Sequence, residues 1–362
     1  MFLIRDKIFI KNFKKHKDPE EVKLEDLNHI PLVNITVPAW KNRKMFIQCL
    51  EIIRNLKYPN LKVIVNAGGS EETIRIAESY RNKKNFIILD QKPEGKMKAI
   101  NDCLEYISEG ILYSIDADIL INDEVLIRMI LPIVNSGEKV VAGLAKPYKK
   151  DENIDLVKYL VLTRNAFFDK KFQRYKKRQI SGSNTTFEFD VIKTIGKFTE
   201  VGIYGASDRT RGLDVLSKGF KIYQLTDFRS SVEGAFPTKT VAFIRQNRRW
   251  LENRLTKTPY KGDKLRYLKF FLLVLLSIYV LISPFLLFIN LGLFLIGIII
   301  LLSKYLKILR RYAFYIITVD KQFYLNYNYK FFFKIMLYIV AEFYSNILAF
   351  KNKVFKKKKI KL

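Results

Sequence analysis

Two aspartates one residue apart, Asp116 and Asp118, follow the β-rich run Ile111-Leu112-Tyr113-Ser114-Ile115. Where a strand gives way to a loop, carboxylates at this spacing point nearly the same way. Such a pair can hold a hard cation such as Mg²⁺ or Mn²⁺, which takes oxygen ligands and leaves room for phosphate oxygens. The cation would neutralise charge on a diphosphate leaving group. An Asp-x-Asp alone is more often a solvated loop, so its context decides. Upstream, Gly95-Lys96-Met97-Lys98-Ala99-Ile100-Asn101 reads as a glycine turn entering a helix that starts on a lysine. Helix N-termini and lysines both suit phosphate. Downstream, Asp208 stands in Tyr204-Gly205-Ala206-Ser207-Asp208-Arg209, and Gln246-Asn247-Arg248-Arg249-Trp250 precedes a strongly apolar region.

These residues need a scaffold, and the pattern supplies one. Leu32 to Val37 is β-rich and is expected to stop at Pro38. A helix follows with Met45, Cys49, Ile52, Ile53 and Leu56 at helical spacing. Leu61 to Val65 is the next strand, and Gly68-Gly69-Ser70 turns into a helix through Ile74, Ala77 and Tyr80, with Ser70 as its N-cap. Phe86 to Leu89 is a third strand, and a third helix carries Ile100, Cys103, Leu104 and Ile107. Strands alternating with helices at this interval predict a mainly parallel α/β sheet covered on both faces. Ligands bind beyond the carboxyl ends of such strands, which directs attention to Pro38, Gly68, Asp90 and Asp116.

Composition narrows the partners. The chain has 64 Lys+Arg against 35 Asp+Glu, a formal net charge of +29, which suits nucleic acid, an anionic membrane or phosphorylated substrates. Much of the excess brackets apolar stretches, as in Lys264-Leu265-Arg266-Tyr267-Leu268-Lys269 and Lys356 to Lys359. That placement favours membrane lipid over nucleic acid, for which no recognition motif is present. Cys49 and Cys103 fall on apolar helix faces and read as buried free thiols. His16 and His29 lack ligand spacing, so zinc catalysis is not expected. The N-terminal apolar run is too short for a signal peptide, although Phe2 to Phe13 could form a short amphipathic piece.

Three regions follow: residues 1–30, charged and interfacial in character; 31–258, the α/β domain; and 259–362, the membrane region. Phe270 to Leu302 is too long for one span of about 20 residues and suits a hairpin turning near Pro284, Asn290 or Gly292. Phe331 to Phe350 is one span long but contains Lys334 and Glu342, so crossing the bilayer and lying in its interface both stay open. The basic segments before Phe270, around Lys304 to Arg311 and after Phe350 all prefer the cytoplasm, which places the catalytic domain there.

The order and spacing of these motifs resemble the family-2 glycosyltransferases, particularly the membrane-bound synthases of hyaluronan, chitin and cellulose. The resemblance covers roughly Pro31 to Trp250 and implies a GT-A (nucleotide-diphospho-sugar transferase) domain followed by transmembrane or interfacial helices. It implies that Pro38 and Ala39 lie against the uridine of a UDP-sugar donor, with Lys96 at the conserved helix start. Asp118 would ligate Mg²⁺ or Mn²⁺, and Asp116 would contact nucleotide or metal. Ser181-Gly182-Ser183-Asn184 looks like the small-residue loop on the acceptor side. Asp208 matches the general base. Gln246, Arg249 and Trp250 match Gln-x-x-Arg-Trp, implying diphosphate contact by Arg249 and sugar stacking on Trp250. Two positions depart from the family: Asn66-Ala67-Gly68-Gly69-Ser70 lacks the usual second-strand Asp, and Ser207 replaces an acid. The resemblance leaves open processive polysaccharide synthesis, single transfer to a lipid acceptor, and a non-catalytic sugar- or nucleotide-binding protein.

Overall fold

The computed structural model describes residues 20–41, 44–164, 173–176, 180–200, 207–254, 264–319 and 325–355. The amphipathic piece at Phe2 to Phe13, His16, Gly205 and the Lys356 to Lys359 tail lie outside them. The chain divides into two compact units, residues 1–148 with 169–235, and residues 149–168 with 236–362. The second unit begins before residue 259, where composition changes, because the polar helix Thr240–Arg254 packs on a C-terminal apolar helix.

The first unit holds ten described strands: β1 (Val33–Trp40), β2 (Leu61–Gly68), β3 (Phe86–Asp90), β4 (Ile111–Ser114), β5 (Val140–Ala142), β6 (Ala145–Pro147), β7 (Gln173–Lys176), β8 (Thr185–Glu188), β9 (Ile222–Leu225) and β10 (Val232–Gly234). Its helices are α1 (Lys44–Arg54), α2 (Glu71–Glu78), α3 (Lys96–Leu104), α4 (Asp123–Ser136), α6 (Phe189–Ile195) and α7 (Ser207–Ser217). Eight strands form one sheet in the order 3-2-1-4-8-5-9-7, while β6 and β10 pair separately in parallel. Strands β1 to β4 are mutually parallel, and β8 runs antiparallel between β4 and β5. The chain lays β2 and β3 on one side of β1 and β4 on the other. The carboxyl ends of β1 and β4 therefore flank a topological switch point, where a crevice opens in such sheets.

Local sequence explains the frame. β1 is buried from Val33 to Ala39, as a central parallel strand must be. It does not stop at Pro38 but pairs with β2 as far as Trp40 and Gly68. Pairing with β4 ends at Thr36 and Ser114, so beyond that point the missing proline N–H costs no ladder bond on that side. α1 buries Phe46, Cys49, Leu50 and Ile53, a face rotated from the expected one, with Met45 and Ile52 only half-buried. Ser70 caps α2, its side chain accepting from the Thr73 N–H at 3.3 Å. Both cysteines are buried and free.

The second unit comprises α5 (Asp155–Thr163), α8 (Thr240–Arg254), α9 (Lys264–Ile282), α10 (Leu291–Thr318) and α11 (Tyr329–Phe355). Among the described residues, three segments are long and apolar enough to cross a membrane: Tyr267–Phe288, Leu291–Ile317 and Tyr329–Asn352. The chain turns through a 3₁₀ segment, Ser283–Phe288, and Asn290 caps α10 by accepting from the Leu293 N–H at 3.1 Å. The second leg does not end at Leu302, since α10 continues to Thr318 and carries Lys304 to Arg311 within it. Basic residues are good helix formers, so the loss of hydropathy there ends the apolar run without ending the helix.

Candidate functional site

The site starts where β4 ends. Asp116 and Asp118 follow directly on a strand packed between β1 and β8, and the Ser114–Thr185 register brings the start of β8 alongside. The loop leading into β8 is Ser181-Gly182-Ser183-Asn184, so the two predicted loops meet because their strands are hydrogen-bonded neighbours. α3 supplies the third part. Gly95, with φ of 98°, turns the chain into a conformation only glycine adopts easily, and Lys96 then begins the helix. Its ammonium forms an ion pair with Asp116 and donates to the Gly182 carbonyl at 3.2 Å.

Asp208, in the first turn of α7, closes the arrangement. Its carboxylate lies directly on Gly182: a β-carbon there would sit 1.9 Å from Asp208 Oδ1. Asp116, Lys96, Gly182 and Asp208 thus form a continuous line of contacts within the first unit.

Asp118 is half-buried beside this line, and Tyr148 donates its hydroxyl to the Asp118 carbonyl. Burial first, and the negative charge of Asp116 second, push its carboxyl above the usual carboxylate range. Two crowded acids are a pair that a cation relieves, and their hard oxygens suit Mg²⁺ or Mn²⁺. Among the described residues no three His, Cys, Asp or Glu side chains converge as a metal cage. A metal on Asp116 and Asp118 would complete its shell from phosphate and water, as Mg²⁺ ordinarily does. The residues present fit such an ion.

Arg211 and Trp40 stand outside the motifs, and Asn184, read there only within the small-residue loop, has a further role. Arg211 is fully buried, donates to Ser114 Oγ at 2.9 Å and to the Ser181 carbonyl at 3.4 Å, and lies over the rings of Phe187 and Phe198. Burial lowers its pKa, while the charges of Asp208, Asp116 and Asp214 oppose that shift. Asn184 is also fully buried. Its amide donates to the Leu144 and Ser230 carbonyls, both at 2.9 Å, and its Oδ1 accepts from Tyr113 at 2.8 Å. Trp40 packs its ring against Gly69 at the carboxyl end of β1. An exposed tryptophan on a buried strand was the available signal there. Arg211 offered none, because α7 has no clear apolar face.

The remaining predicted residues are distributed as follows. Pro38 and Ala39 are buried in β1 opposite Asn66 and Ala67. Asn66 turns inward and donates to the Ala99 carbonyl of α3 at 3.0 Å, so it holds the lysine helix. Asn101, in the same helix, exchanges hydrogen bonds with the Phe198 backbone at 2.8 and 2.9 Å. Ser181 and Ser183 join hydroxyls at 3.2 Å. Gln246, Arg249 and Trp250 belong to the second unit, on α8. Phe243 and Leu251 form the buried face of that helix, while Arg249 and Trp250 are exposed.

Comparisons with known proteins bear on the family and the fold. The family model "Glycosyl transferase family 2" matches residues 34–196. Chondroitin synthase from Escherichia coli is 28% identical over 105 residues, which are 28% of this chain and 15% of that protein. This chain therefore aligns with only a small part of that relative. Mannosyltransferase PcManGT from Pyrobaculum calidifontis, solved in complex with GDP-Man and Mn²⁺, superposes with a TM-score of 0.54 at 13% identity, covering 98% of this chain and 95% of that one. At that identity the likeness concerns the fold. With a parallel sheet switching at β1 and β4 and an Asp-x-Asp at the switch, residues 34–196 of this chain are a family-2 glycosyltransferase domain of GT-A-like fold.

Proposed function

We propose that this chain is a metal-dependent, inverting glycosyltransferase that moves a sugar from a nucleotide-diphosphate donor, a UDP-sugar, to a saccharide acceptor at a membrane. The observation that carries this reading is the line Asp116–Lys96–Gly182–Asp208, which sets a phosphate-seeking cation and a carboxylate base on either side of one small-residue loop. A divalent ion on Asp118 and Asp116 would supply Lewis-acid stabilisation of the diphosphate. The fold neighbour solved with GDP-Man and Mn²⁺ is in keeping with both ligands.

Each residue then has one task. Lys96, at the N-terminus of α3, attracts the diphosphate by charge and by the helix end. Asp208 accepts the proton of the acceptor hydroxyl as that oxygen attacks the anomeric carbon. Attack opposite the leaving diphosphate, with one base and no covalent intermediate, inverts the anomeric centre. Gly182 has no side chain, which leaves Asp208 its position and the loop room for a sugar. On α8, Arg249 takes the role of a diphosphate contact, and Trp250 gives a sugar ring a flat apolar face, with Gln246 beside it. The three apolar helices attach the enzyme to the membrane, and the basic flanks put its catalytic unit on the cytoplasmic side.

A second reading shares this chemistry and ends after one transfer to a lipid-linked acceptor. It is favoured by the small number of candidate spans among the described residues, three, which are few for a polymer channel in a single chain. Purified protein supplied with Mn²⁺ or Mg²⁺ and a panel of radiolabelled nucleotide sugars tests both. Donor turnover that disappears in Asp208→Asn supports the reading, and turnover equal to wild type refutes it. Product length separates a polymer from a single added sugar.

A further inference from the structure

The C-terminal helix α11 passes the length and hydropathy test for a membrane span, yet its contacts within the second unit say otherwise. One stripe is exposed and apolar: Tyr329, Phe333, Leu337, Val340 and Tyr344, at 70, 78, 67, 40 and 48% exposure. The opposite face is buried through Phe331, Ile335, Ile339 and Phe343, and polar contacts recur along the helix. Near its start, Lys334 pairs with Asp155 of α5 at 2.6 Å. In the middle, Glu342 pairs with Lys304 of α10 at 2.8 Å and accepts from Tyr159 of α5 at 2.9 Å. Beyond it, Asn247 of α8 bonds to Ser345, and near the end Asn352 donates to Glu252 of α8 at 3.0 Å.

The two partner helices are each joined by a short link to one strand of a pair. β6 ends at Pro147 and α5 begins at Asp155, while β10 ends at Gly234 and α8 begins at Thr240; β6 and β10 are paired in parallel. At no more than about 3.6 Å per residue, the link to α5 is shorter than the bilayer hydrocarbon of about 30 Å. The start of α5, where Asp155 holds Lys334, therefore cannot reach the far side. α8 carries Arg245, Arg248, Arg249 and Arg254, and four arginines exclude it from hydrocarbon. Both ends of α11 are thus fastened to helices that stay on the side of the catalytic unit.

We infer that α11 does not cross the bilayer. It lies along the membrane surface on the catalytic side, with the Tyr329–Tyr344 stripe set into the lipid of that leaflet. An amphipathic helix with one apolar stripe lies this way. The arrangement also lets all three basic flanks share one side, which a third crossing would prevent. α9 and α10 enter and return as a hairpin, and the segments around Lys264, Lys304 to Arg311 and Lys351 all remain on one side, as the charge bias requires.

The test labels single introduced cysteines on the full-length protein in sealed membrane vesicles with a membrane-impermeant maleimide. Cys49 and Cys103 are buried and do not compete. Glu71→Cys, at an exposed position of the catalytic unit, marks that unit's side. Lys361→Cys reports the C-terminus. Labelling of both from the same face of the vesicle is the expected result, and labelling from opposite faces overturns the inference. A fluorophore at Tyr329→Cys, Leu337→Cys or Tyr344→Cys, read against shallow and deep bromolipids, checks the orientation. Equal quenching by the shallow lipid at all three sites supports a surface helix, whereas a maximum with the deep lipid at Leu337→Cys refutes it.

Discussion

The Asp208 carboxylate rests on the α-carbon of Gly182, so close that a methyl group at residue 182 would stand 1.9 Å from its oxygen. Gly182→Ala must therefore move either the loop or the base. Displacing a catalytic group by about 1 Å costs on the order of 100-fold in rate. Turnover of Gly182→Ala is expected to fall by roughly that factor while donor affinity changes little. Steady-state kinetics beside equilibrium titration with the nucleotide would show the split.

Asp208→Asn keeps the shape of the side chain and removes its basicity. General-base catalysis contributes roughly 100- to 10,000-fold, and the loss should fall in that range. Donor binding, followed by calorimetry, should persist because Lys96 and Asp118 are untouched.

Arg211 is a buried cation whose charge is matched by Asp208, Asp116 and Asp214. Replacing it with Met leaves those carboxylates without this buried cation and the Ser181 carbonyl with Thr185 Oγ1 as its remaining donor. Removing one partner from a buried charge cluster costs about 3–5 kcal/mol, and urea unfolding of the isolated variant should show a loss of that order. Arg211→Lys retains the charge and should recover part of the stability, though not the two-point bonding to Ser114 and Ser181.

The raised carboxyl of Asp118 makes metal binding pH-dependent. A cation needs the ionised form, and the folded protein holds the Asp118 proton to a higher pH than an unperturbed aspartate does. Affinity for Mn²⁺ should therefore rise with pH until Asp118 has ionised and weaken as pH falls below that point. Stability without metal has the opposite sign. The unfolded chain releases this proton near the ordinary value of 3.8, the folded chain later, so the contribution is fully present below that value and fades as pH rises through the folded pKa. Asp118→Asn removes the repulsion with Asp116. It should raise the thermal midpoint in EDTA while abolishing the increase that Mn²⁺ gives the wild type.

Much of this site was legible because its parts sit at strand ends and helix starts, where residue type and backbone position are tightly coupled. The Asp-x-Asp after β4, Gly95 before α3 and the Ser70 cap are local features, each readable within a few residues. The β1 boundary failed for a non-local reason: whether Pro38 ends a strand depends on which neighbour still needs its N–H. Arg211 and the buried bonding of Asn184 were unreadable for the same cause. Their partners, Ser114 for one, Leu144, Ser230 and Tyr113 for the other, are far away in sequence, and no periodicity announces a polar residue that belongs inside. Asn66 shows the converse. It begins the segment read as lacking the usual second-strand Asp, whereas its side chain holds α3 in place.

The Lys96–Asp116 pair gives the site a property that its parts lack. Before donor binds, the lysine already neutralises one of the two acids. A divalent ion held by Asp116 and Asp118 would neutralise both acids, and Lys96 would then be free to pair with a diphosphate. Binding would amount to an exchange of counter-ions with little change in net field. Cation and nucleotide would thus favour one another's binding among these half-buried side chains.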